Sequence, residues 1–309
     1  MPIGRSHYDA LQVVFKQQAQ HPAPGIMSSN FQISYNLSRI IATTSSSDEF
    51  FSPAVLDYDN PTLFMGRSAL DHTNQISFGG SANLKYNFRI ALLSHFFSAS
   101  PSTMTMDTTS LSNGQIFQTD WTGDGLTGDP APGTVAGTYM HGVKPGNLGK
   151  FITNYNNSVA GTLTPAGKAV AASGLISQAQ LIQMGAAIQP IAQLPQTNGV
   201  FNPAYRQIDA QVSYVAKLNW MVKRLPETMT LEPVIAFYNA GNFSNFTNNT
   251  SILQNTTAAG TTNSSAAGYG NITGVNTLTT QGSKRTVRGI GTFDQGAQRT
   301  VEYQLHLNF

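Results

Sequence analysis

Over the last nine residues the apolar side chains fall at every second position. Val301, Tyr303, Leu305, Leu307 and Phe309 alternate with Glu302, Gln304, His306 and Asn308. Successive side chains on a β-strand point to opposite faces, so this segment is a ribbon with one apolar side and one polar side. An amphipathic strand that finishes on an aromatic residue is the pattern expected of the last strand of an outer-membrane β-barrel.

The same period of two recurs upstream, giving seven expected strands. Residues 6–18 set Leu11, Val13 and Phe15 against Gln12 and Lys16. Residues 26–42 set Phe31, Ile33, Tyr35 and Leu37 against Gln32, Ser34 and Asn36. Residues 73–83 and 86–99 follow, then the long run 205–222. There Ile208, Val212, Tyr214, Leu218 and Trp220 oppose Asp209, Gln211, Ser213 and Lys217. Residues 229–239 set Leu231, Ile235 and Phe237 against Thr230 and Glu232, and 298–309 close the series. Several of these runs exceed the ~5–6 residues of an ordinary strand and reach the ~9–11 that crossing a bilayer requires.

Connections between the runs alternate in length. Residues 19–25, a link near Leu84–Lys85 and residues 223–228 are short; 43–72, 100–204 and 240–297 are long. Short turns at one end and long loops at the other characterise outer-membrane barrels, and with a periplasmic carboxy-terminus the long loops all fall outside. The 100–204 insertion carries helix signals. Thr164-Pro165 is a capped start with proline at the first helical position, and Gly174 is a stop. Ser177 caps a second short run, 178–184. A small helical lid or loop domain is expected here. Residues 240–283 are rich in Asn, Thr, Ser and Gly, with Asn-x-Ser/Thr triplets at Asn242, Asn245, Asn248, Asn255 and Asn271; such a segment buries little apolar surface.

Charged residues are only 10% of the chain, against ~25% in an ordinary soluble protein. Uncharged polar residues make up the difference. That suits strands with one face in lipid and the other in a hydrated lumen, and equally suits a soluble, Asn/Thr-rich secreted β-protein. A net charge of +2 is too small to argue for nucleic acid as a partner. With no cysteine there are no disulfides or thiolate metal sites. No stretch approaches the ~18 apolar residues of a transmembrane helix. The amino-terminus lacks a basic region followed by an apolar run, so no signal peptide is read there.

Several stretches taken together resemble the carboxy-terminal part of TonB-dependent outer-membrane receptors, nearest to the Oar-like group with a carboxypeptidase-regulatory-like front domain. They are residues 8–13 (YDALQV), 117–120 (FQTD) with Gly123-Asp124-Gly125, 231–239 (LEPVIAFYN), 291–296 (GTFDQG) followed by Arg299, and the terminal LHLNF. The resemblance implies a 22-stranded antiparallel transmembrane β-barrel with an internal plug and uptake of a large or scarce solute. Here it implies an all-β segment of about seven or eight meandering strands with long extracellular loops, one of them partly helical. Outer-membrane lipid and, through the terminal strand, the barrel-assembly machinery are the implied partners. A TonB-type energy-coupling complex is a partner only where the plug and its coupling box are present, and neither is visible in this sequence. The expectation is therefore a carboxy-terminal fragment. Phe31, Ile33, Tyr35, Tyr214, Leu218, Trp220, Leu305, Leu307 and Phe309 are expected to face the membrane, with Trp220 in an aromatic girdle. Asp209, Gln211, Lys217, Glu232 and Glu302 are expected to face the lumen, with Asp209, Lys217 and Glu232 pairing across it. Pro233 cannot donate to a ladder, so a bulge is expected there.

Asp120, Thr122, Asp124 and Gly125 match positions 1, 3, 5 and 6 of a calcium loop, and Asp129 lies close by. Position 12, a bidentate Glu in such loops, is Ala131. A weak Ca²⁺ site stands against a plain solvated acidic turn. The six histidines show no metal-binding i, i+4 spacing. No nucleophile elbow, Walker pattern or dinucleotide glycine pattern is present, so the chain is not expected to be an enzyme. Two other readings stay open: a small stand-alone barrel or adhesin that binds glycan or protein through its loops, and a soluble secreted β-sandwich.

Overall fold

A computed structural model of the chain describes residues 4–44, 55–105, 120–126, 128–184, 186–188, 204–220, 223–224, 226, 228–243, 245 and 298–309. The 291–296 motif and nearly all of the low-complexity stretch lie outside the described residues.

All seven expected strands form. They are β1 (Ser6–Ala23), β2 (Ile26–Ala42), β4 (Asn74–Leu84), β5 (Phe88–Phe97), β6 (Tyr205–Tyr214), β8 (Thr230–Tyr238) and β9 (Thr300–Asn308). Two short pieces join them: β3 (Gly66–Arg67), paired to the end of β2, and β7 (Ala216–Lys217), which prolongs β6. Every pairing is antiparallel, and each long strand lies beside its neighbour in sequence, in the order β1-β2-β4-β5-β6-β8-β9. The sheet is open: β1 and β9 form its two edges. The expectation of a barrel segment is therefore met as an antiparallel, meandering sheet. Among the described residues no helix is long and apolar enough to cross a membrane.

Turn chemistry sets the strand ends. Pro24 and Gly25 (φ 92°) join β1 to β2, so β1 runs through residues 19–23 where a loop was expected. Tyr86 (φ 63°) and Asn87 (φ 64°) both sit in the left-handed region, which is how a tight hairpin matches the twist of its strands. β5 consequently starts at Phe88 rather than 86. The expected strand 205–222 stops early. Past Tyr214, which pairs with Phe88, β5 supplies no further partner, and Leu218–Trp220 curls into a 3-10 turn. Pro233 brings no bulge. The β6/β7 ladder with β8 lapses between Ser213/Val234 and Ala216/Leu231 and resumes in the same register. A missing N–H skips a bond without inserting a residue.

The long connections all leave from one end of the sheet, and two of them build a separate packed body. Three helices belong to it: α1 (Leu148–Ser158), α2 (Pro165–Ala172) and α3 (Gln178–Gln183). The expected caps hold. Thr164 Oγ1 accepts from Gly167 N–H at 2.9 Å, and Gly174 (φ 72°) ends the helical run. Ser177 and Gln180 form a reciprocal capping box. The sequence reading missed α1, although Leu148, Ile152 and Tyr155 repeat at helical spacing and are the side chains it buries. With Met104, Ala131, Tyr139, Val143 and Ile188 they form a core; Leu163, Leu181 and Ala186 form a smaller one.

This loop domain docks on the end of β2. A Cβ on Gly66 would lie 2.2 Å from the Ala136 carbonyl oxygen, and one on Gly137 would lie 2.2 Å from that of Arg67. Only glycine permits that backbone approach. Beside it, the buried Asp71 carboxylate accepts from Ile40 N–H at 2.9 Å and Arg67 Nη1 at 2.7 Å, with His141 Nε2 at 3.4 Å. Burial alone would raise the Asp71 carboxyl. The hydrogen bonds from His141 and Ile40 and the Arg67 charge outweigh it and hold the group below its ordinary 3.8.

Candidate functional site

Two features stand out: the two faces of the sheet and an acidic loop at its long-loop end.

Register decides what each face shows. Phe31, Gly80, Leu92, Ala210, Phe237 and Val301 stand in one cross-strand row; Ala82, Ile90, Val212, Ile235 and Tyr303 form another. These rows lie on the same face as Leu11, Val13, Phe15, Ile33, Tyr35 and Tyr214. The face is mainly apolar on every long strand, with Gln17, Ser29, Ser94 and Arg206 among its polar exceptions, and nothing among the described residues covers it. Ile90 and Leu92, on a central strand, remain 42% and 41% exposed. Leu305, Leu307 and Phe309 are exposed as well; Phe31, Tyr35 and Leu218 are half-buried. Where the small residues Gly80, Ala82 and Ala210 meet, a shallow depression of about 430 Å³ interrupts the face. At the short-turn end Tyr86, Trp220 and Phe309 project freely, each more than four-fifths exposed.

The opposite face is polar and bonded to itself. One row reads Gln18, Asn30, Ser81, Ala91, Gln211, Ala236, Glu302. Ser81 Oγ donates to Asn30 at 3.1 Å, and Ser77 Oγ meets His95 Nδ1 at 2.9 Å. Glu232 accepts from Ser213 Oγ at 2.6 Å and lies 3.5 Å from Arg89 Nη1. Asp209 accepts from Gln207 Nε2 and Asn239 N–H. The expected pairing of Asp209 and Glu232 with Lys217 is thus replaced by these local partners. Lys217 lies toward the far end of the sheet, exposed and in register with Thr230. Arg89 was not singled out as a site residue from the sequence; its alternation with Phe88 and Ile90 was the available signal, and the structure sets it opposite Asn83 and Ser213.

The acidic loop folds around the Asp120 carboxylate. Its Oδ1 accepts from Gly123 N–H at 2.7 Å and Asp124 N–H at 3.1 Å, and its Oδ2 from Gly125 N–H at 2.9 Å. Gly123 and Gly125 reach these positions with φ near 90°. Asp124 accepts from Leu126 N–H through Oδ1 and, through Oδ2, from Tyr58 N–H on the 55–65 segment. Asp129 Oδ2 accepts from Thr122 N–H at 3.0 Å and Thr122 Oγ1 at 2.9 Å. Its other oxygen, Oδ1, is buried with no hydrogen-bond partner among the described residues. Asp120 and Asp129 are 3% and 1% exposed. Burial pushes the Asp129 carboxyl up to about 7, aided by the charges of Asp120 and Asp124 and opposed by the Thr122 bonds. One oxygen from each of the three aspartates lies within 4.8 Å of the others. The three residues singled out from the sequence are thus brought together. Ala131, at the twelfth position, is buried in the apolar core instead.

No known protein family, curated protein or solved structure matches this chain.

Proposed function

We propose that the chain is the carboxy-terminal barrel segment of a TonB-dependent outer-membrane receptor for a large or scarce solute. The observation that carries this reading is the apolar face: apolar residues dominate it on all seven long strands, interrupted by polar residues that include Gln17, Ser29, Ser94 and Arg206, and nothing described covers it, while the reverse face is mostly polar. A water-filled surrounding would penalise such a face by about 25 cal/mol for every Å² left exposed; a bilayer removes the penalty. Strand length agrees. Ten residues rise about 34 Å, and at a barrel's ~40° tilt they span about 26 Å, close to the ~25 Å apolar band of outer-membrane barrels. Tyr86, Trp220 and Phe309 then belong to the periplasmic aromatic girdle, and the loop domain faces outward, where solute is met. Binding, not catalysis, is the task this reading gives it.

Strand parity among the described residues favours this reading over a stand-alone barrel. Six antiparallel steps lead from β1 to β9, so the two edge strands run in the same direction. Direct closure would pair them in parallel. An all-antiparallel barrel needs an odd number of further strands between them, which a larger barrel supplies. Until those strands pair with it, each edge leaves backbone groups unsatisfied, at several kcal/mol apiece in hydrocarbon.

The absence of cysteine gives a direct test. Leu92→Cys and Gln211→Cys, expressed in a Gram-negative host, are labelled in membranes with a water-soluble maleimide. Gln211→Cys is expected to react and Leu92→Cys to stay protected until detergent is added. Equal labelling, or recovery of the chain in the aqueous fraction without detergent, would refute the assignment. An in-frame plug-encoding region upstream would support the receptor over the adhesin.

A further inference from the structure

We propose that Asp120, Asp124 and Asp129 hold a divalent cation of calcium's size, which fastens the 120–131 loop to the 55–65 segment at the outer end of the sheet. The proposal stands apart from the membrane reading, since it uses only the loop domain.

Four observations carry it. The Asp120 carboxylate is fixed by three backbone N–H groups, which turn the chain around a point as a calcium loop does. Its Oδ2 accepts one of these bonds, from Gly125 N–H. Asp129 Oδ1 is buried and unpartnered among the described residues, although buried carboxylate oxygens are nearly always satisfied. The three carboxylates crowd within 4.8 Å, and none takes part in an ion pair among the described residues. Carboxylates packed this way, two of them buried, are costly in their charged form unless a proton or a cation neutralises them. Finally, a spread of no more than 4.8 Å is compatible with oxygens around a Ca²⁺ ion, which stand up to about 5 Å apart across it.

The geometry also shows how the ion acts at a distance. Asp124 accepts from Tyr58 N–H. Trp121, between two of the ligands, packs edge-on against Phe64 at 5.8 Å and donates to the Pro130 carbonyl at 2.8 Å. Trp121 O in turn accepts from Ala166 N–H in the first turn of α2. Ordering the three aspartates therefore orders three loop segments together.

Trp121 supplies the probe. The full chain in detergent micelles is titrated with Tb³⁺, and lanthanide emission is read on excitation of tryptophan. Sensitised emission is expected, displaced by Ca²⁺, lost in Trp121→Phe, and weakened at least tenfold in apparent affinity by Asp129→Asn but not by the exposed control Asp59→Asn. No emission, or emission indifferent to both Trp121→Phe and Asp129→Asn, overturns the site. Should Asp129→Asn disturb the fold, the wild type decides. Millimolar Ca²⁺ must slow protease cleavage within 120–131 about tenfold, and equal Mg²⁺ must not; no protection by Ca²⁺ overturns the proposal.

Discussion

The sheet and the loop domain bury opposite things. In the loop domain Met104, Leu148, Ile152 and Leu181 are wholly removed from solvent, in the manner of any water-soluble core. In the sheet Leu11, Ile76, Ile90, Leu92 and Val212 stand out, while Ser38, Ser94, Gln207 and Ser213 are buried beside the apolar Ala42, Val234 and Ala236. Apolar side chains of the loop domain are received inside the chain, whereas those of the sheet face are left exposed; the proposed membrane reading places their apolar phase outside the chain. The comparison teaches that exposure of a leucine is informative only when its neighbours on the same face are apolar too and nothing packs on them.

The junction tests whether the two regions are separable. Asp71→Ala removes the buried carboxylate that joins Arg67, His141 and Ile40 and is expected to cost about 3–5 kcal/mol, seen as undocking of the loop domain in hydrogen exchange while the β-sheet signal persists. Acid should do the same. The Asp71 carboxyl is held below its ordinary value, so its stabilisation is complete above 3.8 and disappears as the pH falls through the lower folded value. Simultaneous melting of both regions would show that they form a single unit.

Leu148→Ala opens a cavity in the loop core and should cost that domain about 2–5 kcal/mol, measured by urea-dependent proteolysis, with the sheet unaffected. Ile90→Arg asks the reverse question of the sheet. In a bilayer it should destabilise by about 2–4 kcal/mol, read as heat-modifiable gel mobility across a urea series in vesicles. Gln211→Arg on the opposite face should cost under about 0.5 kcal/mol. If the two arginines are tolerated alike, the faces do not differ in their surroundings. The smallest effect is expected at the hairpin. Tyr86→Gly relieves a left-handed tyrosine worth about 1–2 kcal/mol of strain but removes an interfacial anchor. It should therefore stabilise the protein in detergent more than in lipid, by a difference of about 1 kcal/mol. Equal gains in both would remove Tyr86 from the girdle.

Much of the sheet was legible in the sequence because a strand's pattern is local. Alternation at residues 26–42 or 229–239 records directly which side chains share a face, and the turn residues fix where each run reverses. The lengths of the connections then give the two ends. The helix over 148–158 was legible too, in the spacing of Leu148, Ile152 and Tyr155, but short polar residues around those three masked it. The acidic loop was half legible: Asp120 and Asp124 follow a ligand spacing, while Asp129 departs from it.

The period of two along each strand by itself determined that this chain makes long amphipathic antiparallel strands with their loops at one end, because alternation is written into neighbouring residues. Only the tertiary structure decided that Glu232 meets Arg89 rather than Lys217, that Asp129 closes on Asp120 with an oxygen left over, and that Gly66 and Gly137 let the loop domain settle on the sheet. Those outcomes depend on the register between strands and on backbone approach between residues about 70 apart, distances over which sequence spacing carries no geometry.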